Sequence, residues 1–261
     1  MGNARRPHST GGNKRLRTLL SPEIVPLLFL GPLAFGASIV ASLAGYGAAI
    51  ILTPFLVQAY GVQQTVPILA VTMLLGNFSR AWWNRDELQR PVAAWFALGA
   101  VPAALAGAVA FVYSPAALLT KLLGASFLVI LVYRRSGLDR RWRIPQRGFL
   151  PVGLVTGFLS GLVGNVGPLT APFFLNYGLV RGAYIGTEAV GVLSMNITKL
   201  LVFGASSLVS PSTAAIGLTL GGVMFGGSFA GRLLMGRLSE RAFVLIVEAV
   251  LLVAGLRLLL L

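Results

Sequence analysis

Apolar residues run through this chain in stretches too long and too rarely interrupted for the interior of a soluble fold. Eight can be read, at 24–60, 65–83, 92–113, 117–133, 149–177, 184–206, 212–235 and 242–261. Most have the roughly 20 residues that a helix needs to cross the hydrocarbon core of a bilayer. They predict an all-α polytopic membrane protein. The first and fifth segments exceed one span, and each carries glycine and proline inside it. The first contains Gly45-Tyr46-Gly47 with Pro54 further on; the second contains Gly161, Gly164, Asn165, Gly167, Pro168, Thr170 and Pro172. Glycine tolerates positive φ, and Pro168 suits the first turn of a restarting helix. Pro54 and Pro172 each remove one further in-helix hydrogen bond. Both segments are therefore predicted to be broken helices.

The two breaks belong to a repeat. A shift of 119 carries Gly45 onto Gly164 and Asn77-Phe-Ser-Arg80 onto Asn196-Ile-Thr-Lys199, while a shift of 118 carries Pro54 onto Pro172. Each half then reads as one broken segment followed by three helices, giving two homologous four-segment repeats. Interrupted segments at corresponding places in two halves are the pattern of secondary transporters, whose sites lie near the midplane between repeats. A basic disordered cytoplasmic tail is expected at 1–20, a first membrane repeat at 21–133, a basic cytoplasmic loop at 134–148 and a second repeat at 149–261. Two topologies stay open: eight full spans, or re-entrant broken segments that would make the repeats inverted. The placement of Arg181, Arg237 and Arg241 favours the re-entrant form for the second half.

A cation at the bilayer centre is unfavourable by roughly 2.5–3.5 kcal/mol on insertion scales, so Arg80 and Lys199 stand out. Each follows an asparagine by three residues and shares a helix face with it. Arginine offers a planar fork to an oxyanion and lysine a compact point charge, while an asparagine amide donates without adding charge. Arg80 also has a second reading, as a residue reaching for the interface beside Trp82, Trp83 and Arg85. A helix that restarts inside the membrane presents free N–H groups and the positive end of its dipole, which favours an anion. Acids are scarce, and Glu188 and Glu248 alone fall inside apolar segments. Both are candidates to carry a coupling proton or to neutralise a buried cation.

Composition changes the picture little. Hydrophobic residues make up 56% of the chain and charged residues 11%, below the roughly 25% of soluble domains. The formal net charge of +14 would suggest nucleic acid in a soluble chain. Here the charges cluster before the first segment (Arg5, Arg6, Lys14, Arg15, Arg17) and between the halves (Arg134, Arg135, Arg140, Arg141, Arg143, Arg147). The positive-inside rule assigns both clusters, and with them the N-terminus, to the cytoplasmic side, facing anionic lipid. There is no cysteine, which excludes disulfides and thiolate sites, and the single histidine, His8, is read as a tail residue. No cofactor or metal is expected. The first apolar segment is expected to be retained, since no short cleavable leader precedes it.

The two glycine-rich, proline-terminated segments, the four-segment repeat and the length resemble the TauE/SafE family of sulfite-exporter-like anion permeases over nearly all of 30–261. The family's triple glycine departs here to Gly47-Ala48-Ala49 and to Val166-Gly167-Pro168. The resemblance implies transport of sulfite, sulfonates such as sulfoacetate, or related small oxyanions across the cytoplasmic (inner) membrane. The residues expected at the anion are Gly45, Tyr46, Gly47, Asn77, Arg80, Asn165, Gly167, Pro168, Thr170, Asn196 and Lys199. An anion channel is the alternative, and a membrane-embedded lipid-diphosphate phosphatase a more distant one; no enzyme activity is expected. The glycines from Gly221 to Gly231 suit a homodimer as well as internal helix packing.

Overall fold

The computed structural model describes residues 25–137, 144–164, 166–233 and 240–260, and within them the fold is all-helical. Ten α-helices follow one another: α1 (Val25–Ala44), α2 (Ala48–Tyr60), α3 (Val62–Trp83), α4 (Arg90–Tyr113), α5 (Ala116–Arg135), α6 (Phe149–Val163), α7 (Gly167–Asn176), α8 (Arg181–Ala205), α9 (Pro211–Leu233) and α10 (Glu240–Leu260). Six of the eight apolar segments map onto single helices. The two long ones each divide into a pair, α1 with α2 and α6 with α7. The expected tail, including His8, and Asn165, Arg140, Arg141 and Arg143 lie outside the described residues.

The divisions fall where the backbone takes conformations that suit glycine. Gly45 and Gly47 have φ of 83° and 109°, and Gly164 has φ of 100°. At each of these positions an L side chain would strain the backbone, so the sequence allows one helix to end and the next to turn away.

Helix contacts are built on small residues. On α6, Gly153, Gly157 and Gly161 face the backbone of Phe96, Ala100 and Ala104 on α4, and Gly99 and Gly107 of α4 face Leu150 and Phe158 in return. A Cβ at any of these five glycines would overlap the opposing backbone, so the two helices touch main chain to main chain. In the same way Gly227 and Gly231 of α9 rest on Phe35, Ser38 and Ile39 of α1, while Gly217 and Gly221 rest on α3. Gly222 and Gly226 meet nothing within 4 Å. Most of the glycine-rich stretch considered for a dimer thus serves contacts inside the chain.

These contacts fix helix directions. The order of partners makes α1, α3 and α9 parallel, with Gly217 beside Ile68 and Gly221 beside Thr72. It also makes α4, α6 and α8 parallel, with Phe96 against Gly191 and the ring of Phe111 tilted against that of Phe203. The central pair α3 and α8 is antiparallel: Arg80 near the end of α3 meets Glu188 near the start of α8. Helices α5 and α10 are antiparallel too, Arg135 pairing with Glu248 and Gly124 lying against Gly255. Helix α2 lies beside α10, where Arg257 reaches Gln58, and Phe55 in its second half meets Phe29 near the start of α1, ring centroids 5.6 Å apart. It therefore runs back against α1. Helix α1 begins at one end of the bundle and α5 finishes at the other, beside the first break, where Arg134 donates to the Tyr46 hydroxyl.

Arg90–Tyr113, Ala116–Arg135, Gly182–Ala205 and Pro211–Leu233 are each long and apolar enough to cross a membrane. Large apolar side chains lie exposed on the outer faces, among them Val129, Val132, Leu201 and Val253. Such surface is stable against lipid and unfavourable against water.

Candidate functional site

Polar residues concentrate along the seam between α3 and α8, where water is excluded. Asn77, Glu188, Asn196 and Lys199 are each at most 3% exposed, and Arg80 is 9% exposed. Burial of that kind requires partners, and the two cations find theirs in a matching way.

Arg80 donates through Nη1 to the carbonyl of Gly45 and through Nη2 to Asn77 Oδ1. Asn77 is held in turn by its amide, which donates to the Met73 carbonyl at 2.7 Å. Lys199 Nζ donates to the carbonyl of Gly164 at 3.0 Å and to Ser160 Oγ at 3.2 Å. Each cation thus reaches the positive-φ glycine that lies 35 residues before it. The carbonyls at the end of a helix are its negative pole, so α1 and α6 each finish on a buried positive charge. Helices α2 and α7 then restart with no side-chain cap at Gly47 or Val166. The restart of α7 carries Pro168, which takes no part as a donor.

The surroundings of the two breaks differ. At the first, Tyr184 of α8 lies against Gly45, and Arg134 approaches Tyr46 both at its hydroxyl and over its ring at 5.2 Å. Glu188 Oε2 comes within 3.9 Å of Arg80 Nη1, while Glu188 Oε1 is 3.0 Å from Thr170 Oγ1 on α7. Thr170 also reaches the Gly167 carbonyl at 2.8 Å. At the second break Ser160 Oγ donates to Gly164 at 2.8 Å. Among the described residues no carboxylate lies within ion-pair distance of Lys199, and Asn196 Nδ2 has no hydrogen-bond partner.

The expected site residues therefore form two groups rather than one. Gly45, Tyr46, Gly47, Asn77, Arg80, Thr170 and Glu188 gather at the first break; Asn196 and Lys199 gather at the second, with Gly167 and Pro168 at the restart of α7. Glu188 and Lys199 lie eleven positions apart on α8, a rise of roughly 17 Å along the helix axis, while Thr170, bonded to both Glu188 and the Gly167 carbonyl, ties the restart of α7 to the first group. Asn165, between Gly164 and Val166, lies outside the described residues. Ser160 and Tyr184 were not singled out in the sequence. Ser160 carried a usable signal, one helical turn before Gly164; Tyr184 carried none, because its partner is 139 positions away.

Glu248 stands apart. It pairs with Arg135, Oε2 to Nη2 at 2.9 Å and to Nε at 3.0 Å, on the α5–α10 surface. Arg135 is 68% exposed there, and exposed pairs of this kind contribute only about 0–1 kcal/mol. Glu248→Gln is expected to leave transport unchanged and to shift the melting temperature by no more than a few degrees; loss of transport would place Glu248 in the mechanism.

The family model described as sulfite exporter TauE/SafE matches residues 30–258. The chain belongs to the TauE/SafE family. In this TauE/SafE protein the match begins in α1 and ends in α10, so both breaks and both cations fall within it. The family is one of membrane transporters, in keeping with the apolar helices. Comparison with curated proteins and with solved structures gave no match.

Proposed function

We propose that this TauE/SafE protein is a secondary transporter of small sulfur oxyanions, sulfite or organosulfonates such as sulfoacetate, across the cytoplasmic membrane. One observation carries the reading: two helices break within the bundle, and each break is held by a buried cation from the central antiparallel pair. The breaks expose half-helix starts, and the cations supply the charge that an oxyanion needs once it leaves water.

The arrangement of helices supports alternating access. Taking α1–α5 against α6–α10, the contact of α4 with α6 corresponds to that of α9 with α1, and α4 with α8 corresponds to α9 with α3. The pairs α3–α8 and α5–α10 map onto themselves. Five helices per half reverse the direction of the second copy, so the repeats are inverted and their hairpins enter from opposite sides. Inverted halves can exchange conformations and open a shared path to either side in turn. The positive-inside rule assigns the end bearing Arg85, Arg90, Arg134, Arg135, Arg147 and Arg232 to the cytoplasm. In this scheme the start of α1 lies on the far side.

Counterflow tests the function. Proteoliposomes loaded with sulfite, sulfoacetate, taurine or sulfate should accumulate labelled anion only when the loaded anion is a substrate. Flux without exchange stimulation, at high unitary conductance, would mark a channel instead.

Glu188 is the coupling group in this scheme. It bridges α3 and α7, touching Arg80 on one and Thr170 on the other, whereas Glu248 is tied to Arg135. Glu188→Gln should therefore abolish accumulation driven by an inward proton gradient. Retention of gradient-driven accumulation by that variant would remove Glu188 from coupling.

A further inference from the structure

The two breaks match in geometry but not in charge, and this difference indicates where the anion sits. At the first, Arg80 already faces a carboxylate of the chain itself, Glu188 Oε2 at 3.9 Å, and its fork is engaged by Gly45 and Asn77. At the second, Lys199 meets only neutral oxygens among the described residues, those of Gly164 and Ser160. One turn away on the same face, the Asn196 amide has a donor with no partner in a side chain that is 1% exposed. A buried cation without a counter-charge, beside a buried donor without an acceptor, is an incomplete arrangement. A small oxyanion completes both at once, one oxygen taking the charge of Lys199 and another the Asn196 N–H. The position of Asn196 along α8 sets it on the Glu188 side of Lys199, towards the middle of the seam.

We infer that Lys199 and Asn196, beside the Gly164 end of α6, are the donors of the anion subsite, and that Glu188 fills the equivalent place beside Arg80 as a built-in anion. The inference rests on the transport reading above and gives it a single location. The shift of 119 that relates Arg80 to Lys199 sets Leu69 of α3 in the place of Glu188 of α8, so α3 offers no carboxylate to Lys199 as α8 does to Arg80. A tetrahedral or pyramidal oxyanion with two or three oxygens on one face fits this donor pair. A carboxylate carried on a long or bulky group fits the closed seam less well.

The test is equilibrium binding of radiolabelled sulfite to the purified full chain in nanodiscs, kept free of oxygen. Lys199→Gln should weaken binding by roughly tenfold or more, as expected for loss of a charged hydrogen bond. Lys199→Arg should retain most of the affinity. The informative variant is Asn196→Asp, close to isosteric with the native residue. It supplies a carboxylate beside Lys199, as Glu188 does for Arg80, and should eliminate sulfite binding while the protein stays monodisperse. Wild-type affinity in Asn196→Asp would move the anion to the Arg80 break and overturn the inference, even if Lys199→Gln failed to fold. Absence of both binding and counterflow in the unmodified protein would instead overturn the sulfur-oxyanion function itself.

Discussion

Lys199→Ala should reduce anion counterflow by roughly ten- to a hundredfold, since a charged hydrogen bond in a buried site is worth about 1.5–3 kcal/mol. The protein should remain folded, for a reason visible at the break. The Gly164 carbonyl keeps a second donor in Ser160, at 2.8 Å, so removing the lysine does not leave the end of α6 bare. Removal of an unpaired buried cation also relieves a desolvation burden. A stable Lys199→Ala protein that exchanges anion at the normal rate would sink the role assigned to Lys199. A companion measurement on Ser160→Ala separates the two functions of the contact, because that variant retains the charge and should lose far less transport.

The largest effect on stability is expected at the α4–α6 contact. Gly107→Val would put a Cβ well inside contact distance of the Phe158 carbonyl oxygen, with the Gly161 backbone at 3.1 Å. Neither neighbour is the flexible end of a side chain, so the helices must separate. Overpacking typically destabilises by about 1–3 kcal/mol and occasionally by more, and here the separation also opens the contacts of Gly99, Gly153 and Gly157. The variant should show little monodisperse protein and a melting temperature far below that of the parent. Gly222→Ala serves as the control, with nothing within 4 Å of the added carbon. It should gain a little helix stability, about 1 kcal/mol at most. Equal melting temperatures for Gly107→Val and the parent would mean that α4 and α6 are not in main-chain contact.

Much of this was legible in the chain because it rests on local chemistry. Apolar runs mark helices in lipid, and glycine with proline marks where they stop; Gly45, Gly47, Gly164 and Pro168 stand where the helices divide. Asn77 with Arg80, and Asn196 with Lys199, were visible as polar groups in apolar surroundings. Less legible was anything that depends on direction. A hairpin and a kinked span have the same composition, so whether 24–60 and 149–177 cross or return is decided by which helix each arm meets. The partner of each cation was hidden for a related reason. Arg80 and Lys199 were read as free to meet a ligand, whereas the structure joins them to carbonyls 35 residues earlier, and a carbonyl leaves no trace in side-chain patterns.

The contact of α1 with α9 has a consequence for how the chain is made. Helix α1 leaves the ribosome well before α9, yet the surface that receives Ser38 and Ile39 lies on that later helix, which begins at Pro211. At ordinary synthesis rates of about 5–20 residues per second, the intervening chain takes roughly 8–35 s to appear. During that interval α1 must wait in the membrane without its partner. Helix α6 waits for nothing, because α4 has already been inserted when it emerges. Biogenesis is thus asymmetric where the finished architecture is balanced, and the vulnerable period for quality control belongs to the first hairpin.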